Sequence, residues 1–70
     1  MNADLFRATV RKYMELRHIR TISRLAEHTT VSGATMYRYF NDPESIPIGV
    51  FLQIMKALNV PNEEKEALIK

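Results

Sequence analysis

The sequence predicts a compact all-α fold of four or five helices, and three observations predict it. Every long apolar pattern recurs at three and four positions, the spacing of one helix face. Capping residues and chain breakers fall where those patterns stop, at Thr21, Ser32, Asn41-Asp42-Pro43 and Val60-Pro61-Asn62. The 70 residues contain two glycines and no cysteine, so neither a disulfide nor a cysteine-based zinc site can hold them and helix packing must suffice. At this size one domain is expected, burying only about 60% of the surface its unfolded chain would expose.

The first helix is expected from about Ala3 to Arg17. Phe6, Val10, Tyr13 and Met14 repeat at i, i+4, i+7 and i+8 and form its core face, with Leu5 and Leu16 flanking. Asp4 near its start and Arg17 and His18 near its end suit the helix dipole. Ile19, alone in the following link, should turn inward as a plug. The second helix occupies about Ile22 to His28 behind an N-cap at Thr21, with Ile22, Leu25, Ala26 and Thr29 on one face. The third, about Gly33 to Phe40, is capped by Ser32 and buries Met36, Tyr39 and Phe40.

Asn41-Asp42-Pro43 ends the third helix, because proline disfavours the α conformation at the residue before it. The fourth begins near Pro47, runs to about Asn59, and carries the most pronounced apolar face, Ile48, Phe51, Leu52, Met55 and Leu58. Asn62 can cap a short fifth helix in which Glu63, Glu64 and Glu66 form a solvated acidic face.

Between the second and third helices, His28 to Val31 leaves room for only three or four turn residues. Thr21 to Asn41 therefore has helix-turn-helix spacing, in which the second helix of the pair is presented to the major groove of DNA. Charge agrees. Residues 7–41 hold seven basic groups (Arg7, Arg11, Lys12, Arg17, Arg20, Arg24 and Arg38) against Glu15 and Glu27, a local net charge of +5, within a chain of net charge +2. Such a basic surface attracts a phosphate backbone.

Other functions find little support. Ile46 to Leu52 is the longest apolar stretch, contains Pro47 and Gly49, and is far short of the ~20 residues that span a bilayer. Asp4, Arg7 and Arg11 occupy positions where a signal peptide needs an apolar core, which leaves a cytoplasmic location as the expectation. Neither His18 nor His28 has a companion at i+4, and there is no glycine-rich phosphate loop, so no enzyme, metal or cofactor is expected.

At these residues the chain resembles the Cro/repressor-type helix-turn-helix family, the lambda-repressor-like DNA-binding domains of phage, over roughly Val10 to Val60. The resemblance is carried by Leu25-Ala26, Val31-Ser32, Met36 and Leu58-Asn59-Val60, in that order and spacing. It implies a small Cro-like transcriptional regulator, a repressor by occlusion, bound to double-stranded DNA as a homodimer; the free chain is expected to be monomeric, because two bulky apolar residues offer little area against the entropy of association. Leu68 and Ile69 are the candidates for the dimer seam. Two positions depart from the family pattern. Ile22 stands where a DNA-contacting glutamine is frequent. Thr30 stands where glycine is usual, so the turn is either shaped differently or strained.

At ~100° per residue, Ala34, Arg38 and Asn41 point away from Met36 and Phe40, with Thr35 and Tyr37 on the flanks. Gly33 and Ala34 are small enough for the helix to lie deep in a groove, and Ala34 can touch a thymine methyl. Arg38 can make a bidentate contact to guanine or reach a phosphate. Thr21 and Ser23, with the N–H groups opening the second helix, form a phosphate seat reinforced by Arg20 and Arg24. Ser32 completes the candidate set. The rival reading is a protein-interaction module, an antitoxin or adaptor, with Tyr37, Tyr39 and Phe40 as its patch.

Overall fold

The first helix starts where Asn2, in extended backbone, turns its Oδ1 back to accept the N–H of Leu5 at 3.0 Å. In the computed structural model, which describes residues 1–69, this helix (α1) spans Ala3–Leu16. It is followed by α2 (Ile22–Ala26), α3 (Gly33–Asn41), a 3₁₀ turn (Pro43–Ser45), α4 (Ile48–Leu58) and α5 (Asn62–Ile69). The fold is all-α, with five α-helices among the described residues.

Thr21 and Ser32 are the caps that start α2 and α3. Thr21 Oγ1 accepts the Arg24 N–H at 3.1 Å, and Ser32 Oγ accepts the Thr35 N–H at 3.2 Å. α2 stops two residues short of the expected His28, because its bonding tightens after Ala26. The His28 N–H donates to the Leu25 carbonyl, the Thr29 N–H to the Ala26 carbonyl, and the Thr29 hydroxyl to that same Ala26 oxygen.

The alternative left open at Thr30 resolves in favour of a differently shaped turn. Among the described residues the positive-φ ones are His18 and Asn59, so Thr30 escapes the left-handed region. Its N–H and its hydroxyl both donate to Gln53 Oε1, at 2.8 and 3.2 Å, which ties the turn to α4.

α1 and α4 end in the same way. Beyond α1, His18 takes φ 60°, its N–H donates to the Glu15 carbonyl and the Ile19 N–H to the Met14 carbonyl. Beyond α4, Asn59 takes φ 54°, its N–H donates to the Lys56 carbonyl and the Val60 N–H to the Met55 carbonyl. These paired bonds satisfy carbonyls that a helix end leaves open, and they turn the next apolar residue, Ile19 or Val60, into the core.

That core collects Phe6, Val10, Tyr13 and Met14 from α1, Ile22, Leu25 and Ala26 from α2, and Met36 and Phe40 from α3. Phe51, Ile54, Met55 and Leu58 join from α4, then Val60 and Leu68. Fully burying one such aliphatic or aromatic side chain contributes about 1.5–3 kcal/mol. Tyr39, expected in the core, is only half-buried.

Four expectations change. On α4 the buried row is Phe51, Ile54, Met55 and Leu58, while Ile48 and Leu52 face water, because this helix is apolar on more than one side and packing chooses the row. Leu68 is 0% exposed, a core residue and so unavailable to a dimer seam. Glu64 is half-buried rather than solvated: it accepts the Tyr13 hydroxyl and pairs with Lys12 at 3.3 Å, clasping α5 to α1. Asn62 is the first residue of α5 rather than its cap, the Pro61 carbonyl accepting the Lys65 N–H.

Candidate nucleic-acid interface

α2 and α3 lie close together at Gly33, which faces Ser23. A β-carbon there would come to 3.1 Å from Ser23 Oγ and 3.6 Å from Ser23 Cα. The small residue expected to admit α3 to a groove thus also lies against α2, where a side chain would crowd the Ser23 hydroxyl. Ala26, 4% exposed, lies in the same packed pair.

On α3, Met36 and Phe40 are buried, Gly33, Thr35 and Tyr39 are half-buried, and Ala34, Tyr37, Arg38 and Asn41 are exposed. The sequence-derived face is therefore the solvent face. Thr35 is drawn into the cap, its hydroxyl oxygen accepting the Ser32 hydroxyl at 3.1 Å. Asn41 offers its side chain to solvent while its carbonyl accepts Arg7 Nη2 at 2.9 Å.

At the edge of this face Arg20, Thr21, Ser23 and Arg24 are all exposed around the N-terminus of α2. Thr21 keeps a hydroxyl proton to donate after capping Arg24, and Arg24 pairs with Glu27 at 3.5 Å. Arg20 and Arg24 also line a surface groove of about 290 Å³ with Arg17, His18, Glu27 and His28. The two histidines, far apart in sequence, thus share one groove. Among the described residues no cluster of three histidine, aspartate or glutamate side chains could hold a metal.

The basic surface is smaller than the sequence count implied. Arg7 and Arg17 cap helix ends: Arg7 Nε donates to the Phe40 carbonyl at 2.8 Å, and Arg17 Nε to the Leu58 carbonyl at 2.8 Å. Lys12 pairs with Glu64, and the Arg11 guanidinium lies 5.1 Å from the Phe40 ring centre. Arg20 and Arg38 form no side-chain ion pair or hydrogen bond with the described residues. Sequence reading missed Arg7, Arg17 and Gln53 as organisers of this site. Their partners lie 33, 41 and 23 residues away, and no local pattern encodes such pairs.

A family model of the Cro/C1-type HTH DNA-binding domain matches residues 9–64. The chain belongs to the Cro/C1-type helix-turn-helix family. The match runs from α1 into α5 and takes in the whole of Thr21 to Asn41, so every candidate site residue lies within the Cro/C1-type domain. Cro/C1-type domains are DNA-binding modules and typically not enzymes. No curated protein and no solved structure matches the chain. No helix among the described residues is long and apolar enough to cross a membrane.

Proposed function

We propose that this Cro/C1-type domain is a sequence-specific regulator of transcription that places α3 in the major groove of double-stranded DNA and represses by occluding promoters in the cytoplasm. The observation that carries the reading is Arg38. It stands on the solvent face of α3 without a protein partner, on a helix held still by buried Met36 and Phe40. A guanidinium so placed suits bidentate readout of guanine. Ala34 sits one turn nearer the helix N-terminus to meet a thymine methyl, and Thr35, Tyr37 and Asn41 border the reading face. Arg20, Thr21, Ser23, Arg24 and the Ser32-capped N-terminus with Gly33 hold the flanking phosphates.

One such helix reads only a few base pairs, so two copies read two half-sites about one turn apart. The 70 residues act as one unit in this reading. Selection of bound sequences from a random duplex pool tests it: a recurring, two-fold-related motif is expected, bound with an affinity that falls steeply as salt rises. Recovery of unselected sequence, or binding indifferent to salt, would overturn it in favour of a protein-interaction module.

A further inference from the structure

A side-chain oxygen on α4 holds the turn between α2 and α3. Gln53 Oε1 accepts both the Thr30 N–H, at 2.8 Å, and the Thr30 hydroxyl, at 3.2 Å. Gln53 is half-buried, on a helix seated in the core by Phe51, Ile54 and Met55, so its amide is presented from a fixed base. Thr30 is exposed, and no backbone carbonyl among the described residues takes its N–H. At the other end of α3, Arg7 binds the Phe40 and Asn41 carbonyls and fastens that end to α1.

Between these two ties α3 buries Met36 and Phe40, four positions apart in one row. Such a row fixes the line along which a helix lies but resists rocking about that line poorly. α2 packs against α3 where Ser23 meets Gly33, so a tie to the turn that joins them sets the attitude of the pair.

We propose that Gln53 is a positioning residue for base readout: through Thr30 it sets the angle at which α3 presents Ala34 and Arg38, and with it sequence preference. This rests on the DNA reading above. Phosphate contacts tolerate a small rotation, whereas a bidentate contact to a base edge demands one geometry. Loosening the tie therefore costs discrimination rather than general affinity. Thr30, standing where glycine is usual, brings the hydroxyl that makes the second bond, and Gln53 supplies the oxygen that both bonds share.

Gln53→Met keeps the length of the side chain and removes the acceptor; Gln53→Glu keeps an acceptor oxygen. For each full chain, affinity is measured on the selected duplex and on random duplex at one salt concentration, and the ratio is compared with that of the parent. Gln53→Met should lose about tenfold of that ratio, within the range of one lost base contact, with helical circular dichroism unchanged. Gln53→Glu should weaken both duplexes alike through its added negative charge and keep the ratio. In the free proteins the Thr30 amide should exchange its hydrogen severalfold faster in Gln53→Met than in the parent or Gln53→Glu, with the Val10 and Leu58 amides unaffected.

A ratio undiminished in Gln53→Met, or diminished equally in Gln53→Glu, overturns the positioning role. So does unchanged exchange at Thr30. Equal weakening of both duplexes by Gln53→Met would make Gln53 a phosphate contact instead. If the parent itself does not discriminate, the DNA reading fails and takes the role with it, and exchange at Thr30 separates that failure from a tie that never forms.

Discussion

Arg7 on α1 closes the C-terminus of α3, the helix proposed to read DNA, by donating Nε to the carbonyl oxygen of Phe40 at 2.8 Å. Its Nη2 takes the Asn41 carbonyl at 2.9 Å, and Asp4 steadies its Nη1 at 3.3 Å. A cation at that end also suits the helix dipole.

Arg7→Ala should therefore cost about 1–2 kcal/mol of stability, the loss of charge-assisted bonds at a half-exposed position. Arg7→Lys should recover part of it, because an ammonium keeps the charge but not the fork that spans two carbonyls. Chemical denaturation of the three proteins measures the order. The salt slope of DNA binding should stay unchanged, since Arg7 is turned to protein rather than to phosphate.

Arg38→Ala should spare the fold and weaken DNA binding. If Arg38 reads guanine, the loss on the selected site is about 1–3 kcal/mol and preference relaxes at one base pair. If it holds phosphate, the loss is uniform and the salt slope falls by about one. Lys65→Ala, on α5 and outside Thr21 to Asn41, is the control and should leave sequence preference unchanged. Unchanged binding of both selected and random duplexes by Arg38→Ala would remove α3 from the reading role.

The clasp between α1 and α5 gives stability a defined pH window. The hydrogen bond from Tyr13, with Lys12 assisting, holds the Glu64 carboxyl below the usual carboxylate range. The same carboxylate raises Lys12 and Tyr13 above their ordinary values. A lowered acid stabilises the fold above its unfolded value of ~4.3 and loses that contribution as pH falls through the folded value. The raised Lys12 and Tyr13 contribute fully below about pH 10 and lose their contribution as pH climbs through their folded values. Thermal melts of the parent should thus decline at both extremes. Glu64→Gln should flatten the acid side, and an acid limb identical in parent and variant would deny Glu64 this role.

His18 carries the left-handed conformation that ends α1 and sends Ile19 inward. His18→Val should destabilise by about 1–2 kcal/mol, because a β-branched residue tolerates positive φ poorly. His18→Gly should be neutral or slightly stabilising, the relief of strain offsetting greater freedom in the unfolded chain. Urea titration of the two variants tests the pair, and equal losses in both would point to the imidazole rather than the backbone.

The all-α class, the caps at Thr21 and Ser32, the core face of α1 and the outward face of α3 were legible in the sequence, because each depends on residues within a turn or two of one another. Period and capping are local properties. The family resemblance read from Leu25-Ala26, Val31-Ser32 and Leu58-Asn59-Val60 is likewise a matter of spacing, and the family match bears it out.

Tertiary structure alone decided the rest. α4 is apolar on more than one side, so period could not decide whether Ile48 and Leu52 or Ile54 joins Phe51, Met55 and Leu58 in the buried row. Packing against α1 made that choice and put Leu68 in the core instead of at a seam. The sequence could count the basic residues but not their partners. Arg7 and Arg17 meet carbonyls more than thirty residues away, and Lys12 meets Glu64 more than fifty away. Only the closed fold brings those groups within bonding distance, and by engaging them it leaves Arg20 and Arg38, of the basic residues between positions 7 and 41, without a side-chain partner among the described residues.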